Sequence, residues 1–305
     1  YTLSPGRVES AVAGATRTLA PGERVTQALL DRAIQAQTSH QLGQTARSVP
    51  LNSSWDDLIL NDDLHLQLQE VIARFQHRDR VLREWGMAER FGTAVGLTVL
   101  FEGPPGTGKT MSAGVIAKEL GLELFQVDLS AVVSKYIGET EKNLGRVFDE
   151  AERSGAMLLF DEADSLFAKR TDVTSSNDRY ANLEVNYLLQ RIEQFSGVAI
   201  LTTNNSHNMD DAFRRRLSLS VVFPTPSAEQ RQGLWASMLT QPKLPKGPIS
   251  YAALGREFEL SGGLIRNAVL RAAFLAASHD GLVTQKLLEV SARIEMRKHG
   301  MIVRG

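Results

Sequence analysis

Residues 103–110 read Gly-Pro-Pro-Gly-Thr-Gly-Lys-Thr, and no other stretch constrains the fold of this chain so tightly. The octapeptide fits the phosphate-binding pattern G-x-x-x-x-G-K-[ST] at every fixed position. An apolar, β-prone run, Leu97 to Phe101, precedes it, and Met111 to Leu120 follows with helical periodicity. Strand, glycine loop and helix is the context that the pattern requires. Glycines let the backbone curl until its N–H groups face phosphate oxygens, and the helix N-terminus adds partial positive charge. In such a loop Lys109 reaches the β- and γ-phosphates, and the Thr110 hydroxyl can ligate Mg²⁺.

The same alternation continues to Pro224. β-prone runs Leu97–Phe101, Leu124–Asp128, Met157–Asp161, Val198–Thr203 and Leu219–Phe223 alternate with helical ones. This predicts an α/β P-loop NTPase fold, a parallel sheet sandwiched by helices, over residues 46–226. From Ser227 onward the periodicity is helical apart from the loop Pro242–Pro248, which predicts a small helical domain over 227–305. Upstream, Ser39–Ser54 reads as a linker, and Asp63–Glu84 as a helix.

The start of the chain echoes its end. Leu3-Ser4, Gly6 and Ala11-Val12 match Leu260-Ser261, Gly263 and Ala268-Val269 in register, and Val25-Thr26-Gln27 mirrors Val283-Thr284-Gln285. Self-similarity at long range suggests duplicated modules. Residues 1–45 therefore read as two helices left from an upstream module, the alternative being two unrelated amphipathic helix pairs that share common residues, and the start at Tyr1 without a methionine reads as a fragment or processed chain.

Other residues complete a hydrolysis site. Met157-Leu158-Leu159-Phe160 is a buried strand by composition, and Asp161-Glu162 ends it. Ligands of doubly wound sheets bind at the carboxyl ends of strands. Asp161 is placed there to hold Mg²⁺, and Glu162 to orient and deprotonate a water. Asn204 ends the next strand; an Asn-Asn pair also makes a good turn, but the strand end favours an amide that holds the water or the γ-phosphate. Arg214-Arg215-Arg216 reads either as a solvated face or as cations reaching a neighbour's phosphate.

Composition narrows the partners. Net charge is −1, against the basic excess of nucleic-acid binders. The six histidines show no metal-ligand spacing, and no apolar run reaches the about 18 residues of a membrane span. Cysteine is absent, which excludes disulfides, thiol catalysis and cysteine-bound zinc, and favours a cytoplasmic setting.

Taken in order, the glycine loop, the acidic pair, Asn204 and the arginine run resemble the AAA+ ATPases. The resemblance spans about Trp55 to His299. It implies ATP and Mg²⁺ as cofactors and a homo-oligomer, a hexameric ring with ATP at each subunit interface. It implies that residues 227–305 form the lid of the nucleotide site. The nucleotide-binding set it implies is Pro105, Gly106, Thr107, Gly108, Lys109, Thr110 and Met111 in the loop, Asp161, Asp57 and Leu58, and Ile265 with Arg266. Asn204 takes the place of the first sensor and Arg266 that of the second; Arg215 and Arg216 take that of the trans fingers. Arg-Arg-Arg-Leu lacks the usual Pro-Gly between arginines, which leaves open which of the three acts.

Lys135-Tyr136-Ile137-Gly138 falls where threading members carry an aromatic pore loop. An aromatic flanked by a cation and an aliphatic grips extended peptide by stacking and apolar contact; the same Tyr could instead pack beneath its loop. The runs Asp178–Gln190 and Ser134–Asn143 are similar to bacterial AAA+ proteins encoded with contractile injection systems. Those proteins commonly carry a degenerate upstream ATPase-like region, and Glu9 stands in the repeat where Arg266 stands, which suits an inactive module. The reading is a motor that threads protein substrate through a ring. A non-threading assembly switch and, less favoured, a nucleic-acid motor remain the alternatives.

Overall fold

The computed structural model describes residues 46–91, 96–127, 139–163, 186–204, 214–279 and 281–301, together with Val12, Thr16 and Thr26. Within them the elements are β1 (Ala46–Ser48), a 3-10 turn (Trp55–Asp57), α1 (Asp62–Gln76), a π-helical turn (Arg80–Glu84), α2 (Met87–Phe91), β2 (Leu97–Glu102), α3 (Lys109–Leu120), β3 (Leu124–Val127), α4 (Glu139–Ser154), β4 (Met157–Phe160), β5 (Val198–Thr203), β6 (Leu219–Val222), α5 (Ala228–Met238), α6 (Tyr251–Glu257), α7 (Gly262–Ala277) and α8 (Gln285–Lys298). Residues 186–194 are also helical.

All five strands expected from the sequence are present, in a six-stranded sheet of order β1-β3-β4-β5-β2-β6. β3, β4 and β5 run parallel, with Phe125 opposite Leu158 and Phe160 opposite Leu201. Every residue of β4 and β5 is buried, as befits central strands covered on both faces. The sixth strand lies inside the expected linker: Ala46–Ser48 pairs antiparallel with β3. Three residues at a sheet edge gain their order from a neighbour's backbone, so their composition does not announce them. The helix expected over Asp63–Glu84 is likewise divided, with α1 ending at Gln76 and the π-helical turn beginning at Arg80.

The chain divides into two compact units. One holds residues 1–52, 69–101 and 113–220; the other holds 53–68, 102–112 and 221–305. The first has its core where α4 lays Leu144, Val147, Phe148 and Ala151, at helical spacing, among the strand residues Phe125, Leu158 and Phe160. Phe148 stacks on Phe160 with centroids 5.7 Å apart and meets Phe195 edge-on at 5.4 Å.

The second unit has a helical core of Trp235, Leu254, Phe258, Ile265, Val269, Leu288 and their neighbours. The Pro-rich loop of this unit makes one isolated bridge, Lys246 to Val283, within the otherwise helical region. Glu295 of α8, 4 % exposed at its side chain, pairs with Arg271 of α7 at 3.1 Å and with Lys298 at 2.9 Å. No helix among the described residues is long and apolar enough to cross a membrane.

Of residues 1–45, Val12 and Thr16 are helical, and the Thr16 hydroxyl donates to the Val12 carbonyl. Val12 is 41 % exposed. The rest of the expected upstream helices lies outside the described residues.

Candidate nucleotide site

The phosphate loop follows β2 and is shaped by glycines. Gly103, Gly106 and Gly108 have φ of 146°, 75° and 100°, which side-chain-bearing residues rarely adopt. At Gly103 space matters as much as angle. Phe223 N–H donates to the Glu102 carbonyl at 2.7 Å, and a Cβ on Gly103 would lie 2.1 Å from the Phe223 carbonyl oxygen. Lys109, 7 % exposed, folds back so that its ammonium donates to the carbonyls of Gly103 (2.5 Å) and Pro104 (3.0 Å). The Thr107 hydroxyl donates to the Pro104 carbonyl at 2.8 Å. As at any helix start, the first amides of α3 have no carbonyl within the helix. A buried ammonium above a ring of main chain, at a helix N-terminus, is a donor set for a polyphosphate, and these residues fit one.

The same unit brings α7 to the loop. Gly263 N–H donates to the Gly106 carbonyl at 3.0 Å, and a Cβ on Gly106 would lie 2.8 Å from Ser261 Oγ. Arg266, the fifth residue of α7, is exposed, whereas Ile265 is fully buried in the helical core. Thr110 is half-buried and Met111 is 44 % exposed. Asp57 is exposed; its Oδ2 accepts from the Ser54 amide at 2.8 Å and hydroxyl at 2.9 Å. Leu58 is half-buried, and Ile59 beside it packs against Gly233 of α5.

The acidic pair belongs to the other unit. Asp161, directly after β4, accepts from Gln126 Nε2 of β3 at 3.0 Å on Oδ2 and from the Thr202 hydroxyl of β5 on Oδ1. Glu162 has φ 52°, the one non-glycine left-handed residue among the described residues. For a residue of that bulk such a backbone costs about 1–3 kcal/mol and marks functional sites. Its N–H donates to Thr202 Oγ1 at 3.0 Å, and its exposed carboxylate makes no hydrogen bond or ion pair among the described residues. Asn204 follows β5 and is exposed.

Among the described residues no group of three or more His, Asp or Glu stands ready for a metal. Mg²⁺ held largely through phosphates needs only one or two protein oxygens. Arg216 pairs with Glu193 of its own chain at 3.0 Å. Arg215 is exposed and has no partner among the described residues. Lys135, Tyr136, Ile137 and the run 178–185 lie outside the described residues.

Gln126 and Thr202 escaped the sequence reading. The signal was there: a polar residue inside each of the apolar runs Leu-Phe-Gln-Val and Val-Ala-Ile-Leu-Thr-Thr. Buried polar groups need partners, and here the partner is Asp161.

Residues 99–225 match the model of a family described as "ATPase family associated with various cellular activities (AAA)". The chain is similar to an "Uncharacterized AAA family ATPase y4kL" of Sinorhizobium fredii, 34 % identical over 57 % of this chain and 50 % of the relative. A "Cell division protein C" of Sulfolobus acidocaldarius is 33 % identical over 45 % of this chain and 39 % of its own length. A "Proteasome-activating nucleotidase" of Saccharolobus islandicus is 29 % identical, with 77 % of this chain and 61 % of that protein covered. The chain thus spans between 39 % and 61 % of the length of these relatives.

Proposed function

We propose that this chain hydrolyses ATP with Mg²⁺, and that it does so as a ring-forming AAA motor acting on protein. Two built features, each within its own unit, support the hydrolysis. One is a glycine loop with a buried lysine folded over it; the other is an exposed glutamate held in a left-handed turn after an anchored aspartate. When bound, Mg–ATP supplies the γ-phosphate to be attacked and the counter-charge to its oxygens. The loop amides and Lys109 bind the phosphates. Thr110 and Asp161 offer oxygens to the metal, Glu162 accepts the proton of the attacking water, and Asn204 orients that water. Arg266 lends positive charge from near the start of α7. Arg215 is the trans finger of this reading, because Arg216 is already paired with Glu193.

Action on protein is supported by the similarity to a proteasome-activating nucleotidase and by the motif around Tyr136. The net charge of −1 disfavours a nucleic-acid track. A link to contractile injection systems rests on the runs 178–190 and 134–143 alone.

Phosphate release tests the reading. The expected result is Mg²⁺-dependent turnover that Glu162→Gln abolishes while ATP still binds; wild-type turnover in Glu162→Gln refutes the base. Arg215→Ala is expected to cost 10³–10⁵ in turnover, about what a trans arginine supplies, with affinity intact. Tyr136→Ala separates motor from switch: it stops remodelling of an unfolding reporter and leaves nucleotide-dependent assembly unchanged.

A further inference from the structure

We infer that Thr202 is a positioning residue, whose single hydroxyl sets both the metal-binding aspartate and the general base; the inference rests on the ATPase reading above. The backbone ladder between β4 and β5 ends with Phe160 opposite Leu201. One step further the Thr202 side chain replaces it. Thr202 is 1 % exposed, and its Oγ donates to Asp161 Oδ1 while accepting the Glu162 N–H at 3.0 Å. Its carbonyl then accepts the Ala163 N–H at 2.9 Å. Three successive residues, Asp161 to Ala163, are thus tied to one residue of the neighbouring strand.

The arrangement has a chemical purpose. A base works only within hydrogen-bond reach of the proton it takes, and a displacement of about 1 Å costs on the order of 10²-fold. Glu162 reaches its place through a left-handed backbone that a glutamate does not choose by itself. The hydroxyl gives that turn its amide partner. Being already polarised by the Asp161 carboxylate, it is the better acceptor for the Glu162 amide. The β-branched side chain has few χ1 alternatives, which holds the oxygen between the two. Valine has the same shape without the oxygen. It would leave Asp161 short of a donor and the Glu162 amide unpaired.

The test compares Thr202→Val and Thr202→Ser, with Glu162→Gln as reference, in steady-state ATP hydrolysis, nucleotide binding and thermal melting. Thr202→Val is expected to lower kcat about 10- to 100-fold, the usual effect of losing a residue that orients a ligand. Nucleotide affinity, which the loop residues carry, stays near wild type, and Thr202→Ser recovers kcat. If Thr202→Val does not fold, Thr202→Ala takes its place under the same criteria. Wild-type kcat in Thr202→Val, in an enzyme that Glu162→Gln inactivates, overturns this inference and leaves the ATPase reading standing. A Thr202→Ser enzyme as slow as Thr202→Val also overturns it, since packing and not the hydroxyl would then matter. A wild-type protein without Mg²⁺-dependent turnover overturns the ATPase reading itself, and this inference with it.

Discussion

The phosphate loop and the acidic end of β4 are built by opposite means. The loop is made of main chain: positive-φ glycines at 103, 106 and 108, and a lysine turned back onto the carbonyls of Gly103 and Pro104. The acidic end is made of side chains, because Asp161 and Glu162 are held by Gln126 and Thr202 from the strands on either side. A site built of backbone excludes side chains, so its requirements appear as a contiguous string. A site held by side chains recruits residues about 35 and 40 positions away in sequence, and each can be met by several residue types.

Substitution can break this comparison. The largest expected effects are catalytic. Glu162→Gln is expected to reduce phosphate release by 10²–10⁴, about what a general base contributes, with ATP retained. Lys109→Ala is expected to abolish binding altogether. Isothermal titration beside a phosphate assay separates the two, and loss of binding in Glu162→Gln would merge them.

The next effect falls on the loop backbone. Gly103→Ala places a methyl 2.1 Å from the Phe223 carbonyl oxygen in a backbone foreign to alanine. It should cost at least about 1–3 kcal/mol, read as a lower denaturation midpoint. An unchanged midpoint would show that the loop is not limited by main-chain space.

A third measurement asks whether the loop-bearing unit depends on side chains elsewhere. Burial works to raise the Glu295 pKa, but the hydrogen bonds and charges of Lys298 and Arg271 outweigh it and hold the value below 4.5. The folded state thus binds the proton less readily than the unfolded chain. The ion pairs contribute fully above about pH 4.5, and their contribution is lost as the pH falls through the lowered folded value. Glu295→Gln should flatten that acid limb in melting curves taken from pH 6 downward, a range set about the ordinary carboxylate value. An identical limb would remove Glu295 from the account.

The smallest effect sharpens the contrast. Thr107→Ala deletes a side-chain bond inside the loop, from its hydroxyl to the Pro104 carbonyl. It should change stability by no more than about 1 kcal/mol and leave nucleotide affinity unaltered, as measured by chemical denaturation and titration. A collapse of binding would mean that the loop, too, depends on its side chains.

Much of the fold was legible in the sequence. β2, β3, β4 and β5 stand out because they are fully or largely buried and therefore read as apolar runs; β6 buries Val221 alone and reads by its β-prone residues. The C-terminal helices stand out by their period, with Gly262–Ala277 and Gln285–Lys298 close to where it places them. β1 did not stand out, since a short edge strand is defined by the neighbour it pairs with. The break after Gln76 was hidden too, because Arg78 and Arg80 suit a continuing helix; the Arg78 guanidinium instead reaches the Ser196 carbonyl at 2.7 Å. At the site the string 103–110 and the pair 161–162 were legible as motifs, whereas their supports were not. Nor does the sequence show that Arg216 pairs with Glu193, which lies more than twenty residues upstream.

Gly263 is the second residue of α7, and an amide at that place has no carbonyl one turn back to bind. Its bond to Gly106 therefore uses a donor that the helix leaves over. Making or breaking that bond changes no hydrogen bond inside α7. The approach runs over Gly106, Gly262 and Gly263, three residues with no side chain to interlock, so main chain meets main chain there.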